Sequence, residues 1–129
     1  MALDFSSNKG IATTVGFSPI VSIADEKIGS KYSILKALTN IIWAPIHNGL
    51  SNISLSANWM WPANNPGENT RLYNAVKSIS DFAIEIGVNV PTGKDSLSMT
   101  QKYSNGLKVL SPGTVIISVS YTHLRAHET

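Results

Sequence analysis

The sequence contains no cysteine, which excludes disulfides, thiolate metal sites and a cysteine nucleophile within these 129 residues. Charged residues are sparse, at 14%, and the formal net charge is only +2, with no run of Lys and Arg. A nucleic-acid binder would need a basic patch or stripe, so nucleic acid is not an expected partner. No apolar run approaches the roughly 20 residues of a membrane-spanning helix. The opening MALDFSSNKG lacks the basic region and apolar core of a secretory signal. These absences lead us to expect a soluble, cytoplasmic protein with no membrane partner. What is present is a hydrophobic fraction of 43%, enough for one domain around one core.

Patterning along the chain suggests an α/β (α+β) domain. Gly10–Val15 (GIATTV) is short and β-branched and is expected to form a strand. Pro19–Ala24 suits a second short strand or an extended loop. Ser30 offers an N-cap for a helix over Lys31–Trp43, with Ile34, Leu38 and Ile41 as its apolar stripe and Pro45 ending it. Asn52–Asn58 (NISLSAN) alternates strictly, so Ile53, Leu55 and Ala57 should face a core while Ser54, Ser56 and Asn58 face away. Asn65, Pro66 and Glu68 form a capping-box arrangement for a second helix, whose core face would hold Leu72, Ala75, Val76, Ile79, Phe82, Ala83 and Ile86. Gly87 is placed to end it. Asp95–Tyr103 alternates again and should pair with Lys108–Leu110 through Ser104-Asn105-Gly106, before a last apolar strand at Thr114–Val119.

Few side chains stand out chemically. His123 and His127 have the spacing of two metal ligands on one helix face, but two ligands without a third do not make a site. His47 is alone in a polar loop. Gly93-Lys94-Asp95-Ser96 lacks the earlier glycine and the hydroxyl directly after lysine of a Walker loop. It still offers an ammonium for a phosphate, a carboxylate for a cation or sugar hydroxyl, and a hydroxyl donor. A plain polar turn before a strand fits the same four residues. Lys36 and Asn40 lie four apart, opposite the apolar stripe, as on a solvated helix face. Trp59 and Trp61 suit either stacking on a ring or covering the end of a core.

Beyond these patterns, the chain resembles the phosphoribosylformylglycinamidine synthase family. The resemblance runs in order through ALDF, GIAT, ALTN (Ala37–Asn40), SANWMW, NPGE, RLYNAVK, SDFAIEIG, GKDSLSM and SPGTVIIS. It implies the N-terminal subdomain of the aminoimidazole ribonucleotide synthetase-like fold, a mixed sheet with helices packed on one face, from the second synthetase-like half of the large, amidotransferase-fused enzyme. That enzyme uses ATP to phosphorylate the amide oxygen of formylglycinamide ribonucleotide. Ammonia from a glutaminase domain then displaces phosphate to give the amidine. The implied ligands are ATP or ADP with Mg2+. The implied partners are the remaining synthetase half, the glutaminase domain, the nucleotide and formylglycinamide ribonucleotide.

Carried over residue by residue, the resemblance implies that Asn40 is associated with magnesium and that Lys94, Asp95 and Ser96 belong to a cofactor-binding segment. One turn before Asn40 the family carries a magnesium-binding glutamate; here the residue is Lys36, which cannot ligate a cation. A further metal-binding aspartate of the family would precede Met1, so residues 1–119 are expected to be a subdomain incomplete at its N-terminus. Residues 120–129 (SYTHLRAHET) resemble a translated adaptor sequence and are expected to be a non-native tail. The isolated chain is expected to be inactive and to self-associate. The rival expectation is a non-catalytic nucleotide-binding or structural subdomain of the same superfamily.

Overall fold

Strand β1 (Lys9–Phe17) opens the part of the chain described by a computed structural model, which covers residues 6, 9–46 and 49–125. Ser18 and Pro19 then start a short helix, α1 (Pro19–Ala24), because a proline at the first helical position has no N–H to leave unpaired. This replaces the strand or loop expected there. Asp25 caps the next helix, α2 (Glu26–Ile41), its carboxylate accepting from the N–H groups of Lys27 at 2.9 Å and Ile28 at 2.8 Å. The cap is therefore Asp25 and not Ser30, and the helix ends at Ile41 rather than Trp43. Ser30 is buried inside α2, where its hydroxyl donates back to the Glu26 carbonyl at 2.6 Å. Gly29 lets the two helices touch: a Cβ there would collide with the backbone of Ser22.

A single 3-10 turn (Gly49–Asn52) leads into β2 (Ser54–Met60), whose alternation is as expected. Helix α3 (Glu68–Ile86) begins after Gly67, which takes a left-handed conformation at φ 81°. Asn65 does not cap it. Its side chain is committed elsewhere, donating to the Pro62 carbonyl at 2.8 Å and Thr100 Oγ1 at 2.9 Å, and accepting from Lys108 Nζ at 3.1 Å. Gly87 does end the helix, at φ 72°. The Val88 N–H reaches the Ala83 carbonyl and the Gly87 N–H reaches that of Ile84, a Schellman closure. Of the expected core face, Ala75, Ile79 and Ala83 are buried, whereas Val76 is 39% exposed.

Strand β3 (Asn89–Ser96) follows, then the small hairpin of β4 (Thr100–Lys102) and β5 (Lys108–Leu110), and finally β6 (Thr114–Arg125). The alternating run from Asp95 to Tyr103 is thus divided. Asp95 and Ser96 finish β3, and only Thr100–Lys102 pairs with Lys108–Leu110, in antiparallel register. The division falls where the chain turns around Trp61, whose N–H donates to Ser96 and whose carbonyl accepts from Met99.

The main sheet has the order β1-β6-β2-β3 and is mixed. β6 is antiparallel to both β1 and β2, while β2 and β3 are parallel, as a crossover through α3 requires. Helices α2 and α3 lie on one face, and the core there is built from Ile34, Ala37, Ile41, Leu55, Ile79, Val115, Ile117 and Val119. Gly16 brings α2 directly onto β1, since a Cβ would strike the Ser33 carbonyl and the Ala37 amide. β6 does not stop at Val119. It stays paired with β1 to Lys9↔Arg125, and Tyr121 is part of the core. No described helix is long and apolar enough to cross a membrane.

Candidate functional site

Strand β3 is an edge strand, and the GKDS segment lies within it rather than in a loop. Successive side chains of a strand point to opposite faces. Lys94 and Ser96 therefore share one face, and Lys94 Nζ donates to Ser96 Oγ at 2.6 Å. Asp95 falls on the other face, so the three residues do not converge. The shared face is the one that carries no helix. Across it, Lys94 stands beside Asn58, and Asn58 beside Ile116; the next row runs Ser96, Met60, Thr114.

Two residues that sequence reasoning passed over belong to this corner. Asn58 Oδ1 and Thr114 Oγ1 are buried atoms without a hydrogen-bond partner. The alternation of NISLSAN assigns Asn58 to this face, but nothing in the sequence signals that its oxygen would be left unpaired. Trp59 Nε1 is also buried and unpaired, on the opposite face, with its ring against Gly93. Trp61 covers the end of the core: it is fully buried, packs on Gly113 and donates from Nε1 to Glu68 Oε2 at 2.9 Å.

The Asn40 corner lies at the opposite edge of the sheet. Asn40 Nδ2 donates to the Val15 carbonyl at 3.1 Å and Lys36 Nζ to the Phe17 carbonyl at 3.2 Å. The pair thus joins α2 to the edge strand β1 instead of facing only water. Asn40 also lines a shallow groove of about 390 Å³ with Ala12, Thr14, Ile41 and Ala44. Magnesium demands near-octahedral oxygen ligation, usually including a carboxylate. Around Asn40 the groove offers one amide oxygen and the hydroxyls of Thr13 and Thr14, and the side chain a turn away is an ammonium, which cannot ligate a cation. Among the described residues no three His, Cys, Asp or Glu side chains group to hold a metal. The described residues do not by themselves fit the ion. His47 and His127 lie outside the described residues, so the spacing of His123 and His127 finds no test.

A third polar cluster is structural. Arg71 at the start of α3 holds Glu26 at 3.3 Å and Glu68 at 3.0 Å, and donates to the carbonyls of Ser22 at 2.6 Å and Ile23 at 3.1 Å. One guanidinium thereby ties together α1, α2 and α3. Burial alone would raise the Glu26 pKa, but hydrogen bonds from Asn74 and Arg71 and the Arg71 charge leave it below the ordinary carboxylate value. Burial likewise opposes the Arg71 charge, and its hydrogen bonds and attraction to Glu68 and Glu26 outweigh that and raise its pKa.

The mixed sheet with helices on one face defines the N-terminal subdomain of an aminoimidazole ribonucleotide synthetase-like fold. More particularly, the chain belongs to the FGAR-AT PurM_N-like domain family, which it matches over residues 1–122. It is similar to the probable phosphoribosylformylglycinamidine synthase, chloroplastic/mitochondrial, of Arabidopsis thaliana, with 36% identity over 122 residues that cover 95% of this chain and 8% of that protein. The probable phosphoribosylformylglycinamidine synthase of Caenorhabditis elegans is 39% identical over 118 residues, covering 92% of this chain and 9% of that one. The chain therefore spans less than a tenth of the length of these relatives. Among solved structures, Thermotoga maritima PurL complexed with ADP superposes with a TM-score of 0.68 at 15% identity, over 95% of this chain and 19% of that one. At that identity the likeness carries the fold alone.

Proposed function

We propose that this chain is the nucleotide-side subdomain in the second synthetase-like half of a phosphoribosylformylglycinamidine synthase, a cytoplasmic ligase of purine biosynthesis. The observation that carries this is the family match over residues 1–122, together with relatives of 36–39% identity that bear the enzyme's name. In such an enzyme ATP activates the amide of formylglycinamide ribonucleotide, and ammonia from a glutaminase domain completes the amidine. Within this chain, Lys94 supplies an exposed ammonium able to meet a phosphate of ATP or ADP, with Ser96 beside it to direct the ammonium. Asp95, on the other face, would act on a different part of the ligand or on a neighbouring domain. A magnesium ion at Asn40 would draw its carboxylates from outside these residues.

The test is a chimaera. Residues 1–118 replace the matched segment of a full-length relative, and ammonia-dependent formation of the amidine is followed. Activity is the expected outcome; a folded chimaera without activity overturns the proposal. The purified 129-residue chain should form no product from formylglycinamide ribonucleotide, ATP and ammonia.

A second function is favoured by Lys36, which stands where the resemblance implies a family metal ligand and whose ammonium lies on the Phe17 carbonyl. It is a non-catalytic nucleotide-binding or structural subdomain. Calorimetry with ADP separates the two. Magnesium-dependent binding that improves in Lys36→Glu supports an altered metal site, and magnesium-independent binding supports the structural role.

A further inference from the structure

Single exposed apolar side chains are ordinary on a folded domain, but an aligned row of them calls for a cause. The side of α2 turned away from the sheet carries such a row. Ile28, Tyr32, Leu35 and Ile42 are 41–67% exposed, and their spacing puts them on one side of the helix. Thr39 lies in the same line, with its hydroxyl turned back onto the carbonyls of Leu35 at 2.9 Å and Lys36 at 3.1 Å. At its C-terminal end the row opens into an apolar pocket of about 380 Å³, lined by Leu35, Leu38, Ile42, Ile46, Leu50 and Ile53. Beside its N-terminal end a groove of about 290 Å³ runs between α2 and α3, past Lys27, Ile28, Lys31, Asn74 and Ser78.

The charge that α2 sets beside this row has one sign. From Lys27 to Trp43 the chain carries three lysines and no carboxylate. Lys27 and Lys31 flank the row on the side of α3, and Lys36 flanks it on the side of β1. Among the described residues none of the three forms an ion pair, whereas Lys77 in the same groove is held by Asp81 at 2.7 Å.

We propose that this face of α2 docks an amphipathic helix of a partner protein, one whose apolar stripe is bordered by Asp and Glu on both sides. The distance from Ile28 to Ile42 along α2 is about 21 Å, or four turns of such a helix. Its stripe lies along the exposed row, with one large apolar side chain in the pocket, which is how a groove holds a helix. Its carboxylates meet Lys27 and Lys31 on one flank and Lys36 on the other, and this complementarity selects the partner and its register. An anionic membrane would also meet apolar and basic groups, but the pocket and the groove are concave and fit a helix better than a lipid surface. A second copy of α2 would bring three more lysines and no carboxylate beyond its first turn. The surface lies on the helix side of the sheet, so it is independent of the role proposed for Lys94 and Ser96.

The probe is a fluorescent helical peptide of about 20 residues, long enough to hold a helix in water, with Leu at the stripe positions and Glu on both flanks. Its control carries Lys in place of every Glu. Fluorescence anisotropy with the full chain should find the Glu peptide bound at least about tenfold more tightly than the Lys peptide. The double variant Lys27→Glu, Lys31→Glu should reverse that order. Tyr32→Ser with Leu35→Ser should lose at least about tenfold in affinity for the Glu peptide while its circular dichroism matches wild type, because both side chains are already exposed. Failure of the Glu peptide to bind overturns the proposal. So do equal affinities for the two peptides, or a charge-reversed variant that keeps the wild-type order. Binding to phosphatidylserine vesicles that excludes the Glu peptide assigns the face to a membrane and overturns it. A dimer in sedimentation that excludes the peptide, and that Tyr32→Ser with Leu35→Ser dissociates, assigns the face to a second copy and also overturns it.

Discussion

On the helix-covered face of the sheet, Leu55, Ala57, Val115, Ile117 and Val119 are at most 1% exposed. On the other face their immediate neighbours in the same strands, Ser54, Ser56, Ser118 and Ser120, lie open to solvent. Val15 at 48% exposure and Phe17 at 53% share that open face, next to Ser118 and Ile116 respectively. Among the described residues the apolar groups of the covered face meet helices α2 and α3, although Trp59 Nε1 is buried there without a partner. The open face is polar but not fully paired, and its two exposed apolar side chains have no cover. Fold stability is thereby concentrated on one face of the four strands, while the candidate residues Lys94 and Ser96 lie on the other.

The sharpest way to break this contrast is a pair of adjacent substitutions in β6. Ile117 is fully buried against the helices, whereas Ile116 faces the open side and is only partly buried. Ile117→Ala should destabilise the fold by about 3–4 kcal/mol, from lost transfer energy and the cavity left behind. Ile116→Ala should cost at most about 1 kcal/mol, in proportion to the smaller area that it withdraws from water. Urea denaturation of the two variants measures the difference. Equal effects would mean that the open face is covered in solution.

Arg71 tests whether the covered side is held by apolar packing alone. Arg71→Met keeps the alkyl stem but leaves Glu26 and Glu68 without their cation and frees the carbonyls of Ser22 and Ile23. The expected loss is about 2 kcal/mol, at the low end for charged hydrogen bonds because the side chain is 29% exposed. The pH dependence has a definite sign. Glu26 has a lower pKa folded than its ordinary 4.5, so its contribution is present above that value. It is lost as pH falls through the folded pKa. The wild type should therefore lose stability below about pH 4.5 more steeply than Arg71→Met, as thermal melts across the acid range would record.

These regions also differ in how far the sequence discloses them. The strict alternation of Asn52–Asn58 and the Gly87 closure can be read directly, because period and a left-handed glycine are local properties. The start of α2 is obscured because Gly29, which meets α1, and the buried Ser30 and Ser33 are small residues that weaken the apolar stripe. Asn65 has the residue type of a cap, but two of its three side-chain hydrogen bonds go to partners 35 and 43 positions away, which no local pattern reveals. The candidate site is half legible for the same reason. Lys94 and Ser96 stand out in GKDS, yet the separation of Asp95 requires knowing that the segment is a strand. Asn58 and Thr114 acquire meaning only from cross-strand register.

The smallest expected effect concerns the edge at which the two faces meet. Lys36 and Asn40, one turn apart on α2, cap two carbonyls of the edge strand β1, those of Phe17 and Val15. Uncapped edge carbonyls invite pairing with another chain, and a lysine beside an edge strand discourages it. Lys36→Met should cost only about 0.5–1 kcal/mol in stability, because a hydrogen bond from an exposed ammonium replaces one to water. Its effect on association should be larger than its effect on folding. The wild type already presents Val15 and Phe17, and removing the charge adds a free Phe17 carbonyl beside them. Sedimentation at increasing protein concentration should find Lys36→Met associating at lower concentration than wild type, and Lys36→Arg associating as wild type does. If both variants behave alike, the charge at position 36 does not guard the edge, and association proceeds through the open face alone.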